Sequence, residues 1–580
     1  MTTPEPLAPV AARDITVDLL VIGSGTGMAA ALAAKERGLD VLIVEKTDYV
    51  GGSTARSGGA FWIPANPILR ENGSPDSPEQ AAEYTRAVVG GTAPDERWQA
   101  FLEHGTETVE MLRRTTPMKF IWAKGYSDYH AELPGGSAVG RTCECRPFDA
   151  SVLGPERARL RAGDLKAPVP MPVTGADYRW MNLMLRVPRK AIPRVLRRVT
   201  QGIGGMALGR EYTAGGQALA AGLYAGVLRA GIPLWTRTSL TRLVTEGERV
   251  TGAVLEQDGR EVTVGARRGI VLATGGFDHD IVMRHEHQLK ALEPGWSLGS
   301  EGNTGDGIKA GEKVGAGTAL MDQAWWYPVV APLPGDAPQN LLAERSLPSS
   351  FMVDGSGKRF VNESTDYMSF GQCVQARERA GDSVGTTWLV FDQRYRNSYV
   401  FAGVLFPRMP IPQAWYDGGI VHRAKTPADL ARAAGLPEET FVATFDRFNE
   451  LAAAGIDHDL HRGESAYDRY YGDPTVAPNP NLRPLEGTLY AVKVVLGDLG
   501  TCGGLRTDRH GRVQRADGTV IDGLYAIGNT AANAFGKVYP GAGATIGQGI
   551  VFGTIVAGHA AQAEPAEVPP TISAVARDPR

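Results

Sequence analysis

The run Gly23-Ser24-Gly25-Thr26-Gly27, followed 22 positions after Gly23 by Glu45 (45 − 23), has the residue types and spacing to hold a dinucleotide. Glycines let backbone N–H groups approach a pyrophosphate closely, and a helix that starts there adds unpaired N–H groups and partial positive charge. An acid about 20 residues further on accepts from ribose hydroxyls at the tip of the next strand. The elements needed to position these groups are present. Residues 17–22 are a short apolar run rich in β-branched types, which predicts a buried parallel strand. Residues 28–34 carry an alanine-rich helical pattern, and residues 41–44 predict a second strand that delivers Glu45. Strict G-x-G-x-x-G would place glycine at position 28, where this chain has Met28 with Gly27 just before it.

At 580 residues the chain exceeds one ordinary hydrophobic core, so two domains are expected, one of them discontinuous. A hydrophobic fraction of 43%, a charged fraction of 21% and a mean hydropathy of -0.18 describe a soluble globular protein. A net charge of -4 leaves no clustered basic footprint, so nucleic acid is excluded as a partner. Cys143, Cys145, Cys373 and Cys502 offer neither a disulfide framework nor a metal cluster, so no metal is expected and a cytoplasmic location fits. The residues through Arg13 lack the apolar core of a secretory signal, no uncharged apolar run is expected to reach membrane-spanning length, and the stretch after Ala563 reads as a frayed tail.

A second glycine-rich stretch, Lys46 followed by Gly51-Gly52-Ser53-Thr54-Ala55-Arg56-Ser57-Gly58-Gly59, resembles the segment that wraps pyrophosphate and flavin in the fumarate-reductase-like flavoproteins. Three further pieces match in order: Gly215-Gly216-Gln217-Ala218-Leu219 opening a helix, Ile270-Val271-Leu272-Ala273-Thr274-Gly275-Gly276 as a strand and turn, and Gly523-Leu524-Tyr525-Ala526-Ile527-Gly528-Asn529 as a late strand. Residues 240–264 alternate as short strands with a turn at Asp258-Gly259, a β-meander. The resemblance implies an α/β fold: a Rossmann-like FAD-binding domain built by both chain ends (1–323 and 488–580), with an inserted α+β catalytic lobe (324–487) containing a helical stretch at 425–453. It also implies non-covalent FAD, held by Gly23, Ser24, Gly25, Thr26, Gly27, Glu45, Lys46, Gly51, Gly52, Ser53, Ser57, Gly58, Gly59, Ala273, Thr274, Gly275, Gly528, Asn529, Ala544 and Ile546.

Four longer blocks closely resemble the 3-ketosteroid Δ1-dehydrogenases: Gly125-Tyr126-Ser127-Asp128-Tyr129, Asn362-Glu363-Ser364-Thr365-Asp366-Tyr367, Gly497-Asp498-Leu499-Gly500-Thr501-Cys502-Gly503-Gly504, and Tyr539-Pro540-Gly541-Ala542-Gly543-Ala544-Thr545-Ile546-Gly547. Dehydrogenating adjacent saturated carbons with a flavin needs a hydride acceptor, a base for the other hydrogen, and donors aimed at the developing enolate oxygen. By this resemblance the Tyr539 hydroxyl and Gly543 N–H bind the C3 ketone of a 3-ketosteroid, Tyr367 takes the C2 proton, Tyr129 supports Tyr367, and flavin N5 receives hydride from C1. An external acceptor, quinone-like or O2, then reoxidises the flavin.

The bland reading of any one of the 18 tyrosines is packing. Tyr539 stands apart because Pro540, Gly541 and Gly543 leave backbone N–H groups accessible. Tyr367 follows a turn at 354–357 and an expected strand at 359–361. Tyr126, three positions before Tyr129, can exchange roles with it. Trp325, Trp326, Tyr327, Phe351 and Phe370 are expected either to wall the substrate or to fill the lobe core. The basic, apolar segment Arg179 to Arg198 could rest weakly on an acidic membrane surface, although Pro188 and Pro193 are expected to break it, and a solvated face or an oligomer contact is the simpler reading. The competing functions are a fumarate-reductase-like enzyme, a 3-ketosteroid Δ4-(5α)-dehydrogenase, and a non-catalytic flavin- or steroid-binding protein.

Overall fold

The computed structural model describes residues 15–163 and 170–566; the N-terminal residues through Arg13 and the tail beyond 566 lie outside it. The first apolar run forms the strand Ile15–Ile22, in which Leu19, Leu20 and Val21 are all fully buried, as a strand covered on both faces requires. It pairs in parallel with Val41–Val44 on one side and Arg260–Leu272 on the other, and Arg260–Leu272 pairs in parallel with Val520–Ala526. Strands from both ends of the chain therefore share one sheet. The meander is present as Thr238–Glu246, Arg249–Gln257 and the start of Arg260–Leu272, with positive φ at Asp258 (49°) and Gly259 (78°) in the tight turn.

Helix Gly27–Glu36 is buried along its alanine face, and the late helix Ala544–Gln562 packs directly on it. The approach depends on missing side chains: a Cβ on Gly553 would lie 3.0 Å from the Ala30 nitrogen, and one on Gly549 would lie 2.7 Å from the Thr26 hydroxyl. This late helix corrects one expectation. It has 19 residues, no acidic or lysine or arginine side chain, and enough hydropathy to cross a membrane by length and composition. However, 78% of its apolar window is buried inside the protein, so its composition is that of a core helix.

A second, antiparallel sheet orders Gln339–Asn340, Ala324–Val330, Leu489–Thr501, Thr387–Asp392 and Ser350–Val353, with Val421–Ala424 also on Leu489–Thr501. Its long strand runs past residue 487. Behind it the expected helical stretch is two helices, Pro427–Ala434 and Glu438–Ala454, because Gly435 takes φ 69° and Pro437 follows. Residues 359–361, expected as a strand, are irregular: Arg359 turns inward to bind Glu363 and Asp457, both at 2.7 Å. A small sheet of Ala60–Trp62, Thr142–Cys145 and Phe120–Trp122 lies beside the glycine-rich turns. The basic segment forms helix Gly175–Asn182 and helix Pro188–Ala207, and the latter is not broken. Pro188 sits in its first turn, where an N–H is not needed, and Pro193 is accommodated within it.

Candidate active site

A long cavity runs from the turn after Ile22 to the second sheet. One end is lined by Gly23, Ser24, Gly25, Thr26, Glu45, Lys46, Gly52, Ser53, Ser57, Gly58 and Gly59, together with Ala273, Thr274, Gly275, Gly528, Asn529 and Ile546. Gly27, Gly51 and Ala544 stand behind this lining. At Gly27 a Cβ would meet Val21 at 2.9 Å, so its role is close helix–sheet packing, and Gly51 takes φ 117° while its N–H donates to Ser24 Oγ at 3.0 Å. Gly23 takes φ 111°, and a Cβ there would lie 2.1 Å from the Ala273 carbonyl oxygen. Backbone therefore lines this end, as a phosphate cradle requires.

The Glu45 carboxylate is already engaged within the protein: Oε2 accepts from Ser24 Oγ at 2.6 Å and Oε1 from Thr47 Oγ1 at 2.9 Å. Ser24 N–H and Thr47 N–H also donate to it, at 3.2 and 3.0 Å, so its roughly four acceptor positions are filled and a ribose hydroxyl binds there by displacing one of these donors. Lys46 reaches Asp306 at 2.5 Å. Ser53 Oγ accepts from Ser300 N–H at 3.0 Å and Asn303 Nδ2 at 2.9 Å, fastening the loop around residue 300 over the glycine-rich stretch. That loop carries no motif, so nothing in its sequence marks it.

At the other end three tyrosines converge. Tyr367 is the first residue of helix Tyr367–Arg379, whose N-cap Asp366 accepts from Ser369 N–H at 3.0 Å. The Tyr129 hydroxyl donates to the Tyr367 hydroxyl at 2.9 Å. Ring centroids lie 5.5 Å apart for Tyr129 and Tyr367, 5.2 Å for Tyr129 and Tyr539, and 5.4 Å for Tyr367 and Tyr539. The Pro540 carbonyl ties the strands of the site together, accepting from Tyr129 N–H at 3.2 Å and from the Tyr84 hydroxyl at 2.6 Å. Gly543, with φ 93°, caps helix Ala544–Gln562, and a Cβ there would lie 2.4 Å from the Ala60 carbonyl. The partial positive charge of the helix N-terminus thus faces the cavity beside Tyr539.

Tyr126 does not take the place of Tyr129. Its hydroxyl accepts from Tyr471 at 2.7 Å and its ring stacks on Tyr470 at 4.6 Å. Thr545, in the same block as Tyr539 and assigned no role from the sequence, donates to the Tyr539 hydroxyl at 3.1 Å. Of the five aromatic wall candidates, Tyr327 lines the cavity. Trp325 supports it from behind, donating to Asn529 Oδ1 at 3.0 Å and meeting the Tyr539 ring at 4.7 Å. Phe351 stacks on Phe448 in the lobe core, Phe370 packs on Phe360, and Trp326 packs against Gly371.

Burial pushes the Tyr367 and Tyr129 phenols well above their usual range. The bond from Tyr129 pulls Tyr367 the other way, as a phenolate-stabilising partner should, but desolvation is the larger effect. Burial also pushes the Glu144 carboxyl, which lines the cavity beside Tyr126, up to about 7. It is held by the head of helix Gly175–Asn182, where Ala176 N–H donates to it at 3.3 Å.

The FAD binding domain family model matches residues 18–546. A 3-oxosteroid 1-dehydrogenase of Mycolicibacterium smegmatis is 44% identical over 552 residues, 93% of this chain and 96% of the relative. One from Mycobacterium tuberculosis is 45% identical over 557 residues, 94% and 98% of the two chains. The crystal structure of a 3-ketosteroid Δ1-dehydrogenase from Sterolibacterium denitrificans, in complex with 1,4-androstadiene-3,17-dione, matches with a TM-score of 0.88 at 36% identity over 94% of this chain and 99% of that one. The chain belongs to the 3-ketosteroid Δ1-dehydrogenase family. FAD is the cofactor of this family of flavoproteins, and the glycine cradle, the helix N-terminus and the acid at the strand tip fit it. For this family member, three of the four longer blocks that carried the resemblance supply the three clustered tyrosines and Gly543.

Proposed function

We propose that this chain is an FAD-dependent 3-oxosteroid 1-dehydrogenase that introduces a double bond between C1 and C2 of a 3-ketosteroid. The observation that carries the reading is the phenol pair Tyr129–Tyr367, bonded at 2.9 Å and facing Tyr539 and Gly543 in a cavity continuous with the nucleotide cradle. When bound, FAD supplies the hydride acceptor for the hydrogen leaving C1. The Tyr539 hydroxyl and Gly543 N–H hold the C3 oxygen and stabilise the negative charge that grows on it as the C2–H bond breaks. Tyr367 acts as its phenolate, its own proton having first passed to solvent, and its oxygen then receives the C2 proton; Tyr129 donates to that oxygen while it carries charge. Buried aromatic walls keep water from the developing enolate.

A fumarate-reductase-like reaction would need arginine and histidine to hold a dicarboxylate. Among the described residues lining the cavity the cationic side chains are Lys46 and Arg56, both at the nucleotide end, where Lys46 binds Asp306 and Arg56 binds Glu301. A neutral ketone fits such a lining. The test is anaerobic mixing with a 3-ketosteroid: flavin absorbance bleaches and the product carries a C1–C2 double bond. A C4–C5 double bond would reassign the reaction to the Δ4-(5α)-dehydrogenase, and absence of bleaching would leave only a binding protein. We assign reoxidation to a quinone-like acceptor or O2, distinguished by which of them restores the oxidised spectrum within the turnover time.

The division into an FAD-binding unit (1–323, 488–580) and a catalytic lobe (324–487) remains our assignment, as does a cytoplasmic protein with weak membrane contact. Supporting that contact, helix Pro188–Ala207 exposes Ile192 (52%), Leu196 (59%), Ile203 (51%) and Met206 (59%) beside Arg189, Lys190 and Arg197. Part of the basic charge is used internally, since Arg198 binds Asp177 at 2.6 Å and Arg186 binds Asp473 at 2.7 Å.

A further inference from the structure

A second cavity, of about 850 Å³, opens between helix Pro188–Ala207, helix Gly215–Arg229 and the edge of the small sheet that carries Phe120–Trp122. It shares no lining residue with the active-site cavity. Helix Pro188–Ala207 buries only Ala191, Arg198, Gly202 and Gly205, so it rests on the protein through small residues and one arginine, and the cavity lies alongside.

The lining holds five cations, Lys119, Arg146, Arg197, Arg198 and Arg229, against one acid, Asp149. Two of these cations are matched within the protein. Arg198 binds Asp177 at 2.6 Å, and Arg229 sits in the last turn of its helix, where the carbonyl end of the dipole favours positive charge. Asp149 is engaged by backbone, accepting from Ser151 N–H at 3.1 Å and Glu211 N–H at 3.0 Å. Lys119, Arg146 and Arg197 have no ion pair or side-chain hydrogen bond among the described residues. The fold also forces two of them together. Phe120 pairs with Cys145 in an antiparallel ladder, and Arg146 N–H donates to the Lys119 carbonyl at 2.7 Å, so Lys119 and Arg146 stand directly opposite one another. Like charges in that position destabilise a ladder, and an anion between them reverses the effect.

Beside the cations lies an apolar surface of Ile121, Phe148, Ala225 and Leu228. Val152 and Leu228 are 61% and 39% exposed at its rim. A bare anion would leave this surface wet, whereas an anion on a hydrocarbon body covers it. Guanidinium groups match phosphate geometry, and a phosphate monoester brings about −1.5 to −2 charges at neutral pH.

We propose that this cleft binds a phosphate monoester carried on a hydrocarbon body, with Lys119, Arg146 and Arg197 around the phosphate and Ile121, Phe148 and Leu228 against the chain. Such a group reaches the cleft either on a lipid in a bilayer or on a soluble alkyl phosphate.

The probes are dodecyl phosphate below its micellar range, dodecanol and inorganic phosphate, titrated calorimetrically into the FAD-bound full-length protein. Dodecyl phosphate should bind saturably and at least about tenfold more tightly than either of the others, each of which lacks one half of the interaction. Lys119→Gln, Arg146→Gln and Arg197→Gln should each weaken dodecyl phosphate about tenfold, the loss of one charge-assisted hydrogen bond, with FAD content unchanged. Lys119→Gln also removes the like-charge opposition, so its unfolding temperature without ligand should be no lower than that of the wild type, which separates lost binding from lost folding. Lys190→Gln, on the same helix but outside the cavity, controls for net charge and should keep affinity within about twofold. No weakening by the three cleft variants, or equal weakening by Lys190→Gln, would overturn the site. Inorganic phosphate binding as tightly as dodecyl phosphate would overturn the hydrocarbon body. Vesicles separate the two sources. If Arg146→Gln sediments less than wild type with phosphatidylcholine vesicles containing phosphatidic acid, and equally with vesicles containing phosphatidylserine, the ligand is a bilayer phosphate monoester. Wild-type sedimentation with both, alongside the tenfold loss for dodecyl phosphate, assigns a soluble one.

Discussion

Each site tyrosine is chemically ordinary by itself, and its neighbours determine what it can do. Tyr367 is buried, which disfavours its phenolate, and bonded to Tyr129, which favours it. Substituting Tyr367→Phe removes the proton acceptor and should reduce kcat by about 10²–10⁴-fold, with flavin content unchanged by absorbance. Tyr539→Phe removes one of two donors to the ketone oxygen and should lower kcat by about 10²–10³-fold, with a smaller effect on steroid binding. Glu144 makes a different prediction. Burial raises its pKa from 4.5 to about 7, so the folded protein holds a proton the unfolded chain releases between those values. Its contribution therefore favours folding at low pH and declines as pH rises from 4.5 to about 7. Relative to wild type, Glu144→Gln should become progressively more stable across that window in denaturant titrations, and a difference independent of pH would show that Glu144 does not titrate there.

Elements position these residues through small-residue contacts and buried ion pairs. Gly549 and Gly553 let helix Ala544–Gln562 touch helix Gly27–Glu36, so the segment carrying Gly543 is set by the same contact that builds the nucleotide turn. On the lobe side, Glu363 is fully buried and accepts from Arg359 at 2.7 and 2.8 Å and from Arg462 at 3.4 Å. Arg345 Nη1 donates to the Glu363 carbonyl at 2.5 Å, fixing the chain four residues before Tyr367. Glu363→Ala leaves two buried guanidinium groups without this partner and should destabilise the fold by about 3–5 kcal/mol, measured by thermal or urea unfolding. Arg359 and Arg462 also hold the Glu363 carboxyl below its usual range against desolvation, so its stabilising effect is present at neutral pH and lost as pH falls through that depressed value. None of this network follows a period or a motif. The block ending at Tyr367 was legible because its residues resemble a family, whereas the irregular path of 359–361 depends on Asp457, about a hundred residues away.

At the scale of the molecule, two sheets meet along one cavity: the parallel sheet supplies the nucleotide cradle and the antiparallel sheet supplies Tyr327, Asn340 and the support for Tyr367. The exposed stripe on helix Pro188–Ala207 leads to a prediction at this scale. A double Ile192→Glu, Leu196→Glu variant should lose sedimentation with anionic liposomes while retaining wild-type anaerobic flavin reduction. Unchanged sedimentation would remove the membrane contact.

By itself, the amino-acid sequence determined the first strand, glycine turn, helix and second strand, and the meander, because those signals are local: period, β-branching and glycine spacing; the return of the chain's end to the first sheet was legible only through ordered blocks that resemble a family. Only the tertiary structure decided that Tyr129 rather than Tyr126 reaches Tyr367, that Phe351 and Phe370 are core, and that an uncharged 19-residue helix is buried inside the protein. Those outcomes depend on contacts between residues hundreds of positions apart, such as the 2.9 Å bond linking Tyr129 to Tyr367 across 238 residues. Distance along the chain carries no information about which of two neighbouring phenols such a contact selects.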